Sequence, residues 1–512
     1  MTETTSAVPP PPAQGRSGAA VPPEPLSPDE GFATPTPRSG GAWSGLRPLL
    51  LRLHFYAGIL IGPFLLVAAV TGLLYTATPQ IESVVYRHEL KVTPHGEARP
   101  LDAQVDAARA AIPGGELVSI TKGEGREDTT RVTFNVKGLP EGYTQTAFVN
   151  PYDAQVRGQL RTFGEWLPVR SWFDSLHRTL HLGDFGRNYS EIAASWLWAE
   201  VLGGLALWVG SPRGRARLRK LFVPRRGPKG RKRTLSWHGA VGLWVSIGFL
   251  ALSATGLTWS AHAGMNIGKI QDSLGGATPA VSTAVGRGDG SNGSDGAPGA
   301  SAARIDLDEA VRIARADGLR GKLVITPPAD AKSTYVVGEN TRHWPEQQDS
   351  VAIDPTTGKI TDKQLFDDFP LLAKLTRWGI DAHMGLLFGL ANQIVLALIA
   401  VALIGMLFMG YRMWWLRRPT RASGRRFGRP PARGAWRRVL GKAMAPLVVV
   451  GAVLAYFLPL FGLPLVCFLL MDLGLAGTRR ARSAPRPAPA TAREETPRDD
   501  NPRDENPKEL AR

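Results

Sequence analysis

RLHFYAGILIGPFLLVAAVTGLLYT, Arg52 to Thr76, stays apolar for the thickness of a bilayer yet carries a histidine, His54, at its basic end. About twenty apolar residues cross the roughly 30 Å hydrocarbon core, so the stretch predicts a membrane-spanning helix. SWHGAVGLWVSIGFLALSATGLTWS, Ser236 to Ser260, repeats the pattern. Each stretch has a histidine (His54, His238), a glycine four residues on (Gly58, Gly242), and Thr-Gly seventeen residues after the histidine (Thr71-Gly72, Thr255-Gly256). The chain therefore contains an internal duplication.

Five apolar blocks begin near Leu51, Ile192, Leu235, His383 and Met444 in a chain of 512 residues. The net charge of +17 is concentrated beside these blocks, in SPRGRARLRKLFVPRRGPKGRKRTLS (Ser211 to Ser236) and YRMWWLRRPTRASGRRFGRPPARGAWRRVLGK (Tyr411 to Lys442). Placed there, the charge reads as cytoplasmic loops under the positive-inside rule rather than as a nucleic-acid surface. The single cysteine, Cys467, lies in the last apolar block, which excludes a disulfide or a cysteine-rich metal site. The first apolar run follows some forty-five polar residues and is too long for a cleaved signal, so it is expected to stay as an anchor.

The predicted fold is an α-helical transmembrane bundle, four core helices plus a fifth apolar segment or hairpin, with two external α+β modules. Its layout is a disordered cytoplasmic tail (1–45), a first span (46–80), an external module and approach (81–185), a second span (186–210), a basic loop (211–234) and a third span (235–261). There follow a second external module (262–382) with a disordered insertion (271–303), a fourth span (383–415), a basic loop (416–443), an apolar segment interrupted by Pro459 and Pro464 (444–476), and a disordered tail (477–512). LDAQVDAARAAI and IDLDEAVRIARADG read as amphipathic helices. Each precedes β-rich runs with a Pro-containing turn, VNPYDAQV and VAIDPTTGKI.

The order span, α+β module, span, twice over, resembles the PepSY-associated transmembrane family across Leu51 to Leu416. The marks are HxxxG…TG in the first and third spans, LHRTLHLGDFG (Leu176 to Gly186) before the second, and HMGLLFG (His383 to Gly389) opening the fourth. The resemblance implies PepSY-like modules outside the plasma membrane. It also implies similarity to iron-regulated proteins, some of them ferric-siderophore reductases holding two b-type haems.

A membrane histidine is costly unless it faces the bundle interior and finds a partner, and neutral imidazole is a standard axial ligand of haem iron. The expected topology sorts the histidines into two levels. His54 and His238 both start outward-running helices and can serve one inner haem. His383, with His177 or His181, can serve an outer haem; the string L-H-R favours His177, and H-x-G favours His181. His262 is the reserve outer ligand, and His88, His95 and His343 read as solvated surface residues. Glu200, mid-helix in WLWAEVLGG, needs a partner or a proton. Arg170, Arg178 and Arg377 can pair with haem propionates. Trp166, Trp172, Trp196, Trp198, Trp208, Trp378, Trp414 and Trp415 read as an interfacial belt.

The expected function is transmembrane electron transfer that reduces a ferric siderophore outside the plasma membrane. No nicotinamide or flavin fingerprint is present, so the donor is expected to be a quinol or a cytosolic reductase. The competing expectation is a non-enzymatic anchor whose external modules bind or inhibit a peptidase or another envelope protein.

Overall fold

The computed structural model describes residues 42–211, 218–284, 304–417 and 444–483. Most of the expected N-terminal tail, most of the second basic loop, the C-terminal tail beyond residue 483 and the insertion from residue 285 lie outside them. Residues 271–284 of that insertion are described. They run to an isolated bridge between Ala284 and Ser333, and Ser282 N–H donates to Asp362 at 2.7 Å, so the chain is held against the sheet before the insertion proper begins.

The first span is not one helix. α1 (Ala42–Leu60) and α2 (Gly62–Tyr75) meet at Ile61 because Pro63 has no N–H to bond the carbonyl four residues back. That carbonyl, Ile59 O, accepts the Tyr411 hydroxyl at 2.9 Å instead, the kind of repair an apolar surrounding demands. α3 (Thr78–Val85) and α4 (Arg87–Leu90) lead to the first α+β half: α5 (Leu101–Ala111), β1 (Glu116–Lys122), β2 (Thr130–Asn135), β3 (Tyr143–Val149) and β4 (Val156–Phe163). α6 (Pro168–Thr179) and α7 (Gly183–Val209) return to the bundle, followed by α8 (Gly230–Thr258) and α9 (His262–Ser273).

The second half repeats the order with α10 (Leu307–Ala316), β5 (Leu323–Thr326), β6 (Tyr335–Glu339), β7 (Ser350–Ile353) and β8 (Ile360–Gln364), then α11 (Leu371–His383) and α12 (Gly389–Trp415). The last apolar segment breaks at Leu458 into α13 (Met444–Phe457) and α14 (Pro459–Ser483), which pack on each other through Gly462 and Ala455. His383 therefore ends α11 instead of opening the fourth span, which begins at Gly389 with φ +55°.

Among the described residues, four helical stretches are long and apolar enough to cross a membrane: Gly62–Val85, Gly183–Val209, Gly230–Thr258 and Gly389–Trp415. Their large exposed side chains, such as Ile247, Leu398 and Phe408, are unpartnered by protein and suit lipid. The two α+β halves form one antiparallel eight-stranded sheet of order β4-β3-β2-β1-β5-β6-β7-β8. β1 and β5 join them, with Ile120 opposite Ile325. α5 and α10 cover one face around Val105, Ile120, Val132, Val311 and Ile325.

The halves also cap each other's helices. Leu101 N–H donates to Asp308 at 2.7 Å and Leu307 N–H to Asp102 at 3.2 Å, satisfying first-turn donors reciprocally. Burial raises the Asp102 carboxyl above its usual range.

Candidate functional site

Two histidine pairs face each other inside the bundle. His177, near the end of α6, and His383, at the end of α11, have ring centres 6.4 Å apart at the sheet side. His54 in α1 and His238 in α8 have ring centres 6.3 Å apart at the far side. Along α7, Ser190 bonds the His177 carbonyl at 3.0 Å and Gly204 faces the His54 ring, so the levels are separated by fourteen positions. At 1.5 Å per residue that is about 21 Å.

The repeated Thr-Gly motif holds the sheet-side pair. Thr71 Oγ1 donates its proton to Val67 O at 2.8 Å and lies 2.9 Å from His177 Nδ1; Thr255 Oγ1 donates to Ala251 O at 2.8 Å and lies 2.6 Å from His383 Nδ1. With its one proton on the carbonyl, each threonine can accept from an Nδ1–H. That tautomer leaves Nε2 of both rings with a free lone pair. The glycines keep the approach open: a Cβ at Gly72 would lie 3.2 Å from His177 Cε1, and one at Gly256 3.8 Å from His383 Cε1.

The far pair is held differently. Glu200 Oε2 lies 2.8 Å from His54 Nδ1, and a Cβ at Gly204 would lie 3.1 Å from His54 Cε1. Gly58 makes room for Glu200, and Gly242 packs on Met406. The repeated HxxxG glycines thus serve a carboxylate and a helix contact.

A cavity with about 1330 Å³ of atom-free space, counting its open mouth, contains both sheet-side rings between α2, α7, α8 and α12. Its walls are apolar, including Leu65, Leu197 and Leu403, with Arg178 and Arg187 among its polar groups. Ligand pockets usually occupy about 300–1,000 Å³, so this space admits a large flat group. The ring spacing fits such a group too. A metal–imidazole bond of about 2.0 Å and a ring radius of roughly 1.2 Å put two axial imidazoles about 6.4 Å apart across one metal. Among the described residues no three His, Cys, Asp or Glu side chains gather as a metal site. The sheet-side residues fit a haem in spacing, lone pairs and space. The far pair fits in spacing, while the cavity beside it reaches His54 but not His238.

Other expected residues are distributed as follows. His181 is outside the cavity lining, at φ +55° with its ring 4.9 Å from Trp172, so His177 is the one brought to His383. His262 Nε2 lies 3.1 Å from Asn188 Oδ1, and His88, His95 and His343 are exposed. Arg178 lines the cavity. Arg170 instead lies 3.9 Å over Trp166 and donates to Tyr75 at 2.8 Å, and Arg377 donates to Glu346 at 2.7 Å. Sequence reasoning did not single out Arg187, Ser190 or Glu191. Glu191 accepts the His262 and Ala263 N–H groups at 2.9 Å each and so caps α9.

The sheet is tied to this level by a buried ionic chain. Arg342 donates to Glu165 at 2.6 Å and to the fully buried Asp381, two residues before His383, at 3.0 Å. Burial would raise Glu165, but Arg342 and Lys322 beside it hold its carboxyl below the usual range.

Fold and site together define a polytopic membrane protein with an antiparallel sheet at one end of its helices and paired histidines between them. The chain belongs to the PepSY-associated TM region family, whose model matches residues 51–417. Comparison with curated proteins finds no match.

Proposed function

We propose that the protein carries electrons across the plasma membrane and reduces a ferric chelate of the siderophore class on the outer side, the side to which this reading assigns the sheet. The observation that carries this reading is the pair of facing imidazoles at each of two levels, with ring centres 6.4 and 6.3 Å apart. His177 and His383 would hold one b-type haem and His54 and His238 another, each supplying a one-electron couple. Thr71 and Thr255 would hold the ligating tautomer, Arg178 and Arg187 would offer cations to propionates, and the apolar wall would exclude water. Ferrous iron is held less tightly than ferric by hard-oxygen chelators, so reduction of the chelate would release its metal.

The test is the absorption spectrum of the purified protein, oxidised and dithionite-reduced. The expected result is a b-type signal corresponding to two haems per chain. No haem signal from haem-replete cells overturns the proposal and leaves a membrane anchor whose sheet binds an envelope protein.

A further inference from the structure

A second cavity, about 680 Å³ of atom-free space counting its open mouth, lies on the Glu200 side of His54. Glu200 lines it and His238 does not, so it is separate from the gap between the two far-side rings. Its walls are apolar and aromatic: Leu53, Leu202, Trp196, Trp198 and Phe461. Phe461 belongs to α14, beyond the residues matched by the family, and its ring centre is 4.8 Å from Trp196 and 5.0 Å from Trp198. Trp196 Nε1 fixes the start of α14 by donating to Leu460 O at 3.2 Å.

Besides His54, which also lines the cavity, two polar groups remain. The Glu200 carboxylate is an acceptor, and Trp198 Nε1 is a buried donor with no hydrogen-bond partner among the described residues. An acyl chain would leave the Trp198 N–H unsatisfied, at a cost of about 1–3 kcal/mol.

We propose that this cavity binds the head-group ring of a lipid-soluble quinol. Its place among apolar helices selects an occupant that arrives through the lipid, and its aromatic walls suit a flat ring. Glu200 accepts a ring hydroxyl, and Trp198 donates to a ring oxygen. The C-terminal hairpin thereby gains a function as one wall of the site. The inference rests on the electron-carrier reading in naming the occupant as donor, but binding can be read without it.

The test uses the full-length protein in lipid nanodiscs and a short-tailed, photoreactive azido-benzoquinone. Label is expected on peptides from α7 and α14, competed by unlabelled short-tailed quinol. Glu200→Gln should cut labelling about tenfold below saturation, the equivalent of one charged hydrogen bond. Ala206→Phe, which fills the cavity, should abolish it. If that variant fails to reach the membrane, Phe461→Ala should lower labelling instead. Label spread over lipid-facing helices, or equal competition by a fatty acid, overturns the proposal. Failed labelling with intact haem spectra refutes this inference alone; normal labelling of a protein without haem refutes the carrier reading alone.

Discussion

At the scale of single residues, the two levels differ in what faces Nδ1. Hydroxyls face it on the sheet side, a carboxylate faces His54 on the far side. Thr255→Val keeps shape but removes the acceptor, so the His383 ring can turn and change tautomer. Loss of such an orienting partner typically costs about 10–100-fold in metal affinity. Haem transfer to a scavenger protein should accelerate for one of the two haems only; unchanged retention of both would remove the threonines from the site. A carboxylate on Nδ1 makes an imidazole a stronger donor and favours ferric iron. Glu200→Gln should therefore raise the lower of two midpoint potentials in a redox titration and leave the upper one in place. Much of this site was legible in the sequence, because duplication exposed His54 with His238 and placed Thr-Gly at the same offset from each. What Thr-Gly serves was not legible. It acts on histidines from α6 and α11, 106 and 128 residues further along the chain.

At the scale of elements, the amphipathic helices and the Pro-containing turns were readable, since both are local patterns. The strands ELVSITK (β1) and LVIT (β5) were not picked out, and they are the ones that merge the two expected modules into one sheet. Their pairing partners lie some two hundred residues apart, and no local pattern reports that. The reciprocal caps follow from this merger. Asp102→Ala and Asp308→Ala should each cost about 1 kcal/mol in denaturant unfolding, the loss falling on the other half's helix. The loop between β6 and β7 carries a titrating group, Glu346. Burial lifts Glu346 from 4.5 to about 7 although Arg377 beside it pulls the other way. The folded state thus binds this proton more tightly than the unfolded chain, so its contribution is complete below about pH 4.5 and lost as pH rises through about 7. The thermal midpoint should fall between pH 5 and 8, and Glu346→Gln should flatten that slope; an unaltered slope would assign the effect elsewhere.

At the scale of the whole molecule, the single sheet gives the sheet-side pair a rigid support. β4 runs into α6, which carries His177, and β8 runs into α11, which ends on His383. The two rings come from opposite edges of one sheet, so their spacing depends on how firmly that sheet is seated on the helices. Arg342 is central to the seating, because it joins Glu165, at the end of the first half, to Asp381 on α11. Removing one partner of a buried ion pair costs about 3–5 kcal/mol, since the other charge is left unpaired. Arg342→Gln should therefore loosen α11 and disturb the sheet-side pair. The far pair sits on α1 and α8, about 21 Å away along α7, and among the described residues has no link to Arg342 of this kind. In the loaded protein, low-temperature spectra should show one haem broadened or lost and the other unchanged. Equal loss of both would mean that the bundle, not the sheet, positions His177 and His383.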